Sequence, residues 1–150
     1  MRKGECFATA VRKASRRLTQ LYDDALAPSG LRSTQFSILA ELATRGKAPT
    51  LTELAEAMVS DRSALGHALR PLVRDGFVAL ERDRADGRAQ RIVLTGDGRD
   101  KCGEGLVQWR AAQQAIIGLY GDAWAESLRA AVLTIAHDDR FGSLAQDAAR

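Results

Sequence analysis

The sequence of 150 residues has few of the features by which membrane proteins and secreted proteins are recognised. No apolar run approaches the length needed to span a bilayer, and the start, MRKGECFATAVRK, lacks the continuous apolar core of a secretory signal. Cysteine occurs only twice, as Cys6 and Cys102, which argues against a disulfide framework. We therefore expect a soluble, cytoplasmic protein without a structural disulfide.

Motifs for catalysis, metals and cofactors are also missing. The two histidines, His67 and His137, are far apart in the chain and lack the spacing of a metal-binding pair. There is no glycine-rich phosphate loop and no nucleophile elbow. The acidic residues that follow His137 lie near the end of a predicted helix, where a polar terminus is the simpler interpretation. We therefore expect no enzymatic activity, no metal and no cofactor.

What the chain does have is apolar content and clustered arginine. Hydrophobic residues make up 45% of the sequence, which is enough for one domain with a real core and excludes a disordered class. The net charge of +3 suits a nucleic-acid partner only weakly. The local grouping of arginines is more informative than the total charge.

Residues 60–95 are the most informative segment. Leu65, Leu69, Leu72 and Val73 recur at helical spacing and predict a helix with one apolar side. Either Ser60 or Asp61 can cap its amino end, Gly76 marks its carboxyl end, and Pro71 predicts a bend. The remaining surface of this helix is polar and basic, and carries Arg62, Ser63, Gly66, His67, Arg70 and Arg74.

A β-hairpin is predicted directly after this helix. Residues 77–80 are short and apolar, and residues 90–95 alternate with Ile92 and Leu94 on one face. The segment between them contains turn-forming residues, with Gly87 tolerant of positive φ. The hairpin therefore has a cationic tip, which carries Arg82, Arg84 and Arg88.

A short helix precedes the basic helix and completes a helix-turn-helix. Leu51, Leu54, Ala55 and Met58 give it an apolar side, and either Thr50 or Thr52 can open it, with Glu53 close behind. A break near residues 59–60 then leads into the basic helix.

This order of elements, with a hairpin as the wing, suits docking on duplex DNA. A basic helix face or an arginine-rich turn alone is usually only solvated surface, but the two together are a stronger indication. An interaction module that has kept the fold and lost DNA binding would have a neutral recognition face. Phosphate neutralisation is the obvious use for the arginines at positions 62, 70, 74, 84 and 88.

The segment TLTELAEAMVSDRSALGHALRPLVRDGFVALERDRADGRAQRIVLTGDGR resembles the MarR family of winged-helix transcriptional regulators. Its most specific parts are Asp86 and Arg88 in the wing, and Leu94-Thr95 followed by Gly98-Arg99. The resemblance extends over about residues 6–141. It implies a homodimer that binds a pseudo-palindromic operator, with the second helix of the motif in the major groove and the wing along the minor groove.

The resemblance also implies roles for individual side chains. Ser63, His67 and Arg70 become the expected base or backbone contacts, and Arg88 the expected minor-groove residue. Arginine suits both grooves, because it can donate two hydrogen bonds to guanine and is attracted to a narrow minor groove. Asp86 would be repelled by phosphates, so it either orients a neighbouring arginine as an ion partner or shapes the turn.

The flanking segments predict helices that the winged lobe does not cover. Apolar residues at helical spacing mark a first helix that ends near Pro28, and two further helices after Thr95. With no sheet to cover them, these terminal helices most simply pack against a second copy. Gly98, Gly103 and Gly105 either let the long helix bend or permit close packing.

The predicted fold is therefore mainly α with a small β-hairpin wing, in one domain of residues 1–150. Its DNA-binding lobe is a winged helix-turn-helix at residues 33–95, and its terminal dimerisation helices are residues 6–30 and 97–141. We expect a dimeric regulator, and a repressor in particular, that a signal releases from its operator.

The resemblance suggests two kinds of signal. Members of this family often bind small anionic or aromatic effectors between the dimer helices and the winged domain. An arginine with aromatic walls could hold an aromatic carboxylate, although the same aromatic residues could instead be core and the arginine solvated. The candidate residues for such a pocket are Arg16, Tyr22, Phe36 and Trp109.

The alternative signal is oxidation of Cys6. The segment Cys6-Phe7-Ala8, followed by Arg16, Thr19 and Tyr22, is similar to the amino end of the organic-hydroperoxide sensors within the same family. The chain departs from those sensors, because its cysteine is displaced relative to the tyrosine and Phe36 follows Gln35 where they usually carry tyrosine. If Cys6 is not reactive, it is an ordinary thiol.

Overall fold

The computed structural model describes residues 6–83 and 86–140, and its elements confirm the mainly helical fold with a hairpin. The chain divides into two compact units, and the boundary lies between Ala112 and Gln113. The predictions for Arg84 and for the end of the last helix at residue 141 lie outside the described residues. The elements are α1 (Phe7–Leu26), a 3-10 turn (Ala27–Ser29), α2 (Ser33–Thr44), α3 (Leu51–Ala57), α4 (Arg62–Arg74), β1 (Val78–Arg82), β2 (Gln90–Leu94), α5 (Gly96–Tyr120) and α6 (Asp122–Ala136).

The core of the first unit forms where α2, α3 and α4 turn their apolar sides toward the hairpin. Of the residues predicted from helical spacing in α3 and α4, five are buried there, because each lies on the side of its helix that faces the others: Leu54, Ala55, Leu65, Leu69 and Leu72. Leu51, Met58 and Val73 are partly buried and pack against this core. Burial of a leucine or isoleucine side chain of this kind contributes roughly 1.5 to 3 kcal/mol. The most deeply buried members are Leu26, Ile38, Leu39, Leu54, Leu65, Leu72, Val78 and Ile92.

The two helices of the helix-turn-helix begin at side-chain caps. The Thr50 hydroxyl accepts from the Glu53 amide at 3.2 Å, and the Glu53 carboxylate accepts from the Thr50 amide at 2.7 Å. At the start of α4 the Asp61 carboxylate accepts from the Ala64 amide at 3.0 Å. Each cap satisfies amides that the first turn of a helix leaves without partners. The sequence left two candidates for each cap, and the structure uses Thr50 at the start of α3 and Asp61 at the start of α4.

Helix α4 continues through Pro71 and ends where the sequence predicts. It is one element as far as Arg74, and the Asp75 amide donates to the Pro71 carbonyl at 2.9 Å. Gly76 has φ +78°, in the left-handed region that closes many helices. The proline lacks only the hydrogen bond that a backbone N–H would donate at its position, so it does not end the helix. A bend of the helix axis stays a prediction.

The wing is an antiparallel pair that continues directly from α4. Val78 pairs with Leu94, Leu80 with Ile92 and Arg82 with Gln90. Strand β1 thus begins one residue later than predicted and extends to Arg82. Ile92 is buried, so the apolar face predicted for β2 is confirmed.

Close packing explains two of the three glycines in the first turns of α5. A β-carbon on Gly98 would lie 2.0 Å from the Phe77 carbonyl oxygen, and one on Gly105 would lie 2.8 Å from Phe36 Cδ2. Neither position has room for a side chain. A β-carbon on Gly103 would meet no atom within 4 Å, so packing does not require a glycine there.

The terminal helices leave apolar residues exposed in each unit. In α1 of the first unit, Phe7 is 87% exposed, and Val11 and Leu18 are also open to solvent. In the second unit, α6 buries none of its residues, and four apolar residues that form a stripe at helical spacing along it are all exposed. Those four are Trp124, Leu128, Val132 and Ile135. Among the described helices, none combines the length and the apolar character that a membrane crossing requires.

Candidate nucleic-acid interface

The exposed face of α4 brings most of the predicted recognition residues together. Arg62, Ser63, His67 and Arg70 line one cleft of about 610 Å³, together with Leu51 and Gly66. They meet because Leu65, Leu69 and Leu72 hold the opposite side of the helix in the core. The face therefore offers guanidinium, imidazole and hydroxyl groups to one partner.

A second cleft joins this face to the wing. It has a volume of about 570 Å³ and shares Arg62 with the first cleft. Arg82 and Arg88 line it from the hairpin, and Thr50 and Thr52 line it from α3. Three guanidinium groups and two hydroxyl groups thus surround a groove open to solvent. Such groups are the usual donors to phosphate oxygens.

Arg82 and the two threonines were not among the residues predicted for the site. Arg82 was recognised only as part of the cationic tip. The signal that could have found it is its position in β1 opposite Gln90, which also lines the second cleft. Thr50 was recognised only as a helix cap.

Arg74 is set apart from these clefts. Its guanidinium contacts the neighbouring Asp75 carboxylate at 2.8 and 3.1 Å. The pKa of Asp75 is lowered because Arg74 donates to its carboxylate. Arg74 remains exposed, but its charge is locally paired.

Asp86 shapes the turn at the tip of the wing. Its carboxylate accepts from the Arg88 backbone amide at 3.0 Å, and the Ala89 amide donates to its carbonyl at 2.9 Å. A side chain that accepts from the amide two residues on forms an Asx turn. Asp86 and Arg88 both lie within the described residues, and the contact between them is this hydrogen bond to the backbone amide rather than an ion pair with the guanidinium. The geometry supports turn shaping, the second of the two interpretations.

Arg91 is a further residue of the wing that the sequence did not single out. Its guanidinium contacts the Asp83 carboxylate at 2.5 Å and the Glu53 carboxylate at 2.7 Å. The pKa of Arg91 is raised, first because it donates to Asp83. Its two acidic partners are 8 and 38 residues away in sequence, so no local pattern indicates them.

The residues proposed for an effector pocket are not all brought together. Phe36 and Trp109 stack at 6.3 Å between ring centroids, and both belong to the core or pack against it. Arg16 lies on α1 in a separate cleft of about 400 Å³ with Ser15, Thr19, Gln20, Asp23, Asp24 and Arg32. Within the described residues, that cleft includes none of the three aromatic candidates. Tyr22 is half-buried on the same helix.

The two cysteines differ in environment. Cys6 is exposed at the start of α1, and its pKa is lowered because the Thr9 hydroxyl and amide donate to its sulfur. Cys102 is buried in the core, and burial raises its pKa. A thiolate is therefore easier to form at Cys6 than at Cys102. No group of side chains suited to hold a metal ion occurs in residues 6–83 and 86–140.

Comparison with known proteins places the chain among solved regulators. The model of the MarR family matches residues 29–89. MosR, a transcriptional regulator of M. tuberculosis solved in complex with DNA, is 35% identical, with 97% of this chain and 99% of that chain covered and a TM-score of 0.78. Among curated proteins, no sequence matches.

Two more distant structures share the fold. BpsR of Bordetella bronchiseptica, whose DNA binding is regulated by 6-hydroxynicotinic acid, is 22% identical, with a TM-score of 0.83 over 93% of this chain and 99% of that chain. CouR of Rhodococcus jostii RHA1, solved with p-coumaroyl-CoA, is 19% identical, with a TM-score of 0.76 over 90% of this chain and 94% of that chain.

Proposed function

Because the chain belongs to the MarR family, we propose that it is a homodimeric repressor that binds a pseudo-palindromic DNA operator. The observation that carries this proposal is the pair of clefts that share Arg62 and are lined by arginines from both α4 and the wing. A helix that fills a major groove, with a neighbouring hairpin on the backbone, needs cationic groups in this arrangement.

The two clefts support a division of roles on the operator. Ser63, His67 and Arg70 would meet base edges or backbone in the major groove, since they lie on the exposed side of α4. Arg88 would enter the minor groove from the tip of the wing. Arg62 would neutralise phosphates, since it lines both clefts. Arg74, whose charge is paired with Asp75, and Arg84 stay predictions from the sequence as further phosphate contacts. Asp86 would hold the turn that presents Arg88.

The exposed apolar residues of the terminal helices support the dimer. Residues 6–30 and 97–141 would form the dimerisation helices, and residues 33–95 the DNA-binding lobe. Leu128 lies on the exposed stripe of α6, so Leu128→Glu should convert the dimer to a monomer in analytical ultracentrifugation. Ser127→Glu adds the same charge one position away, off the stripe, and should leave the dimer intact. A monomeric wild type would remove this part of the proposal.

Selection from random DNA tests the proposed function. Purified protein is incubated with a pool of 40-base-pair duplexes, and the bound fraction is amplified and sequenced over several rounds. The proposal expects enrichment of an inverted repeat whose half-sites are one helical turn apart. If no sequence is enriched over the starting pool, the alternative of a protein-interaction module with a winged-helix fold gains support.

We propose a small aromatic or anionic ligand as the signal that releases the operator. The ligands of BpsR and CouR, an aromatic acid and an aromatic thioester, make 6-hydroxynicotinate and p-coumarate reasonable probes. Arg16 is exposed in its own cleft and could hold a carboxylate there, whereas Phe36 and Trp109 already pack on each other. Each probe is titrated into the complex with the selected duplex. Release that is lost in Arg16→Ala and kept in Arg12→Ala would support this site, and release that is equal in both would exclude it.

Oxidation of Cys6 is a second candidate signal, favoured by the exposure and lowered pKa of its thiol. The thiolate would take the terminal oxygen of an organic hydroperoxide to give a sulfenate, and the peroxide would leave as the alcohol. Cumene hydroperoxide added to the DNA complex should then release wild type and spare Cys6→Ser. A response that persists in the serine variant would remove Cys6 from the mechanism.

A further inference from the structure

Arg91 joins three separate segments at the base of the wing. Its side chain is only 17% exposed although it carries a charge. Nε and Nη2 contact the Asp83 carboxylate at 2.7 and 2.5 Å. Nη1 contacts the Glu53 carboxylate at 2.7 Å and the Ala48 carbonyl at 3.3 Å. The planar guanidinium thereby links the end of β1, helix α3 and the loop before α3.

Backbone contacts join the same segments at the same place. The Ile92 amide donates to the Pro49 carbonyl at 2.8 Å, and Thr50 forms an isolated β-bridge with Arg91. Thr50 is also the cap of α3. Both the side chain and the backbone of β2 therefore attach the wing to the start of α3.

We propose that Arg91 is a positioning residue for DNA binding, which holds the wing against α3 and so sets the spacing of Arg62, Arg82 and Arg88. These three line the second cleft from α4 and from the wing, whereas Arg91 lines neither cleft. Two carboxylates already surround its guanidinium. Arg91 thus acts through the wing and not as a phosphate contact. The inference rests on the proposed function, and its structural half can be measured without DNA.

The acidic partners of Arg91 allow a decisive test, because a positioning role and a simple effect of net charge predict opposite changes in the affinity for DNA. Removal of a carboxylate from a basic surface should tighten binding to DNA if only net charge matters. If Arg91 must be held in place, removal of Glu53 should weaken binding. The pKa of Glu53 is lowered, first by the Thr50 amide and also by Arg91, so the ion pair is present at neutral pH. Glutamine can still form the capping box, so Glu53→Gln removes the charge and keeps the start of α3.

Amide hydrogen exchange tests the structural half on the free protein. Exchange at Ile92 reports its bond to Pro49 directly. Arg91→Ala should accelerate this exchange by about tenfold or more, the equilibrium effect of losing one charge-assisted hydrogen bond. Arg45→Ala is the matched control, since Arg45 pairs with one carboxylate, that of Glu41, where Arg91 pairs with two, and it lies outside both clefts. Equal rates at Ile92 in wild type and Arg91→Ala would overturn the proposal.

Affinity for the selected duplex tests the functional half. Arg91→Ala and Glu53→Gln should both weaken binding, and Arg45→Ala should not. In an Arg88→Ala background the loss from Arg91→Ala should become smaller, because the side chain that it positions is already gone. Tighter binding by Glu53→Gln, or full additivity with Arg88→Ala, would refute positioning. If wild type enriches no duplex, the proposed function fails, while the exchange rate at Ile92 still decides whether Arg91 holds the wing.

Discussion

Gly98 at the start of α5 lies directly against the backbone of Phe77, between α4 and β1, so that a β-carbon on Gly98 would be 2.0 Å from the Phe77 carbonyl oxygen. The same carbonyl accepts from the Thr95 amide at 3.2 Å. The contact joins two segments 21 residues apart and depends on the absence of a side chain. It is the reason for a glycine at this position.

Gly98→Ala should therefore destabilise the fold. The methyl group would force the backbone at Phe77 to move, at a cost of about 3 kcal/mol or more. Gly103→Ala on the same helix meets open space and should stabilise by about 0.5 to 1 kcal/mol, because alanine is the better helix former. Urea denaturation of both variants measures the contrast. Equal effects of the two substitutions would contradict the close approach.

Asp23 should contribute stability that depends on pH. Partial burial raises the pKa of this carboxyl, but hydrogen bonds from Ser33 and contact with Arg32 outweigh it and lower the pKa below the ordinary 3.8. Since the folded pKa is depressed, the contribution is complete above pH 3.8 and is lost as pH falls through the lower folded value. Asp23 accepts from the Ser33 amide at 2.7 Å, in the first turn of α2.

Asp23→Ala should then cost about 1 kcal/mol at pH 7, as loss of a helix cap does. The deficit should shrink as the pH is lowered below 3.8. Asp24→Ala, at the exposed neighbouring position, is the control and should change stability little at either pH. Chemical denaturation at pH 7 and pH 3 provides the measurement. A deficit of the same size at both values would show that the charge of Asp23 is not involved.

Cys6 should react with iodoacetamide faster than Cys102 in the folded protein. The Thr9 hydroxyl is the largest cause of the lowered pKa of Cys6, so Thr9→Val should shift its rate profile to higher pH. Thr19→Val, on the same helix but away from the thiol, should leave the profile unchanged. Peptide mass spectrometry distinguishes the two cysteines. Rapid labelling of Cys102 without denaturant would contradict its burial.

Arg88→Ala should weaken binding to the selected duplex and reduce its salt dependence. Loss of one cation from the DNA interface lowers the slope of log K against log salt by up to about 0.9, the value for one neutralised phosphate. Arg45→Ala removes the same charge away from the clefts and should leave the slope unchanged. The slope is read from titrations at several salt concentrations. An unaltered affinity and slope in Arg88→Ala would count against a DNA contact by the tip of the wing.

The helix-turn-helix could be predicted closely because its boundaries are set by local chemistry. Asp61 and Gly76 bracket α4 by capping interactions that reach at most three residues along the chain. The capping box of Thr50 and Glu53 likewise lies within one helical turn. Such features can be predicted from the sequence because both partners lie within the same few residues of the chain.

The features that the sequence did not reveal depend on distant partners. Arg91 was missed because Glu53 and Ala48 come next to it only after the wing folds back onto the loop before α3. The residues proposed for an effector pocket were chosen from the helices on which they lie. In the structure Phe36 and Trp109 pack on each other, and Arg16 lies in another cleft. Helical spacing gives the face of a residue and not its neighbour across the fold.

Thr95 is the single residue between the end of β2 and the start of α5. Its hydroxyl donates to the Gly76 carbonyl at 2.7 Å and accepts from the Gly98 amide at 3.0 Å. One residue with two hydrogen bonds therefore connects the hairpin to the first turn of α5, and we expect a displacement of that turn to move the wing with it. A signal that tilts the beginning of α5 would then reach the cationic tip directly.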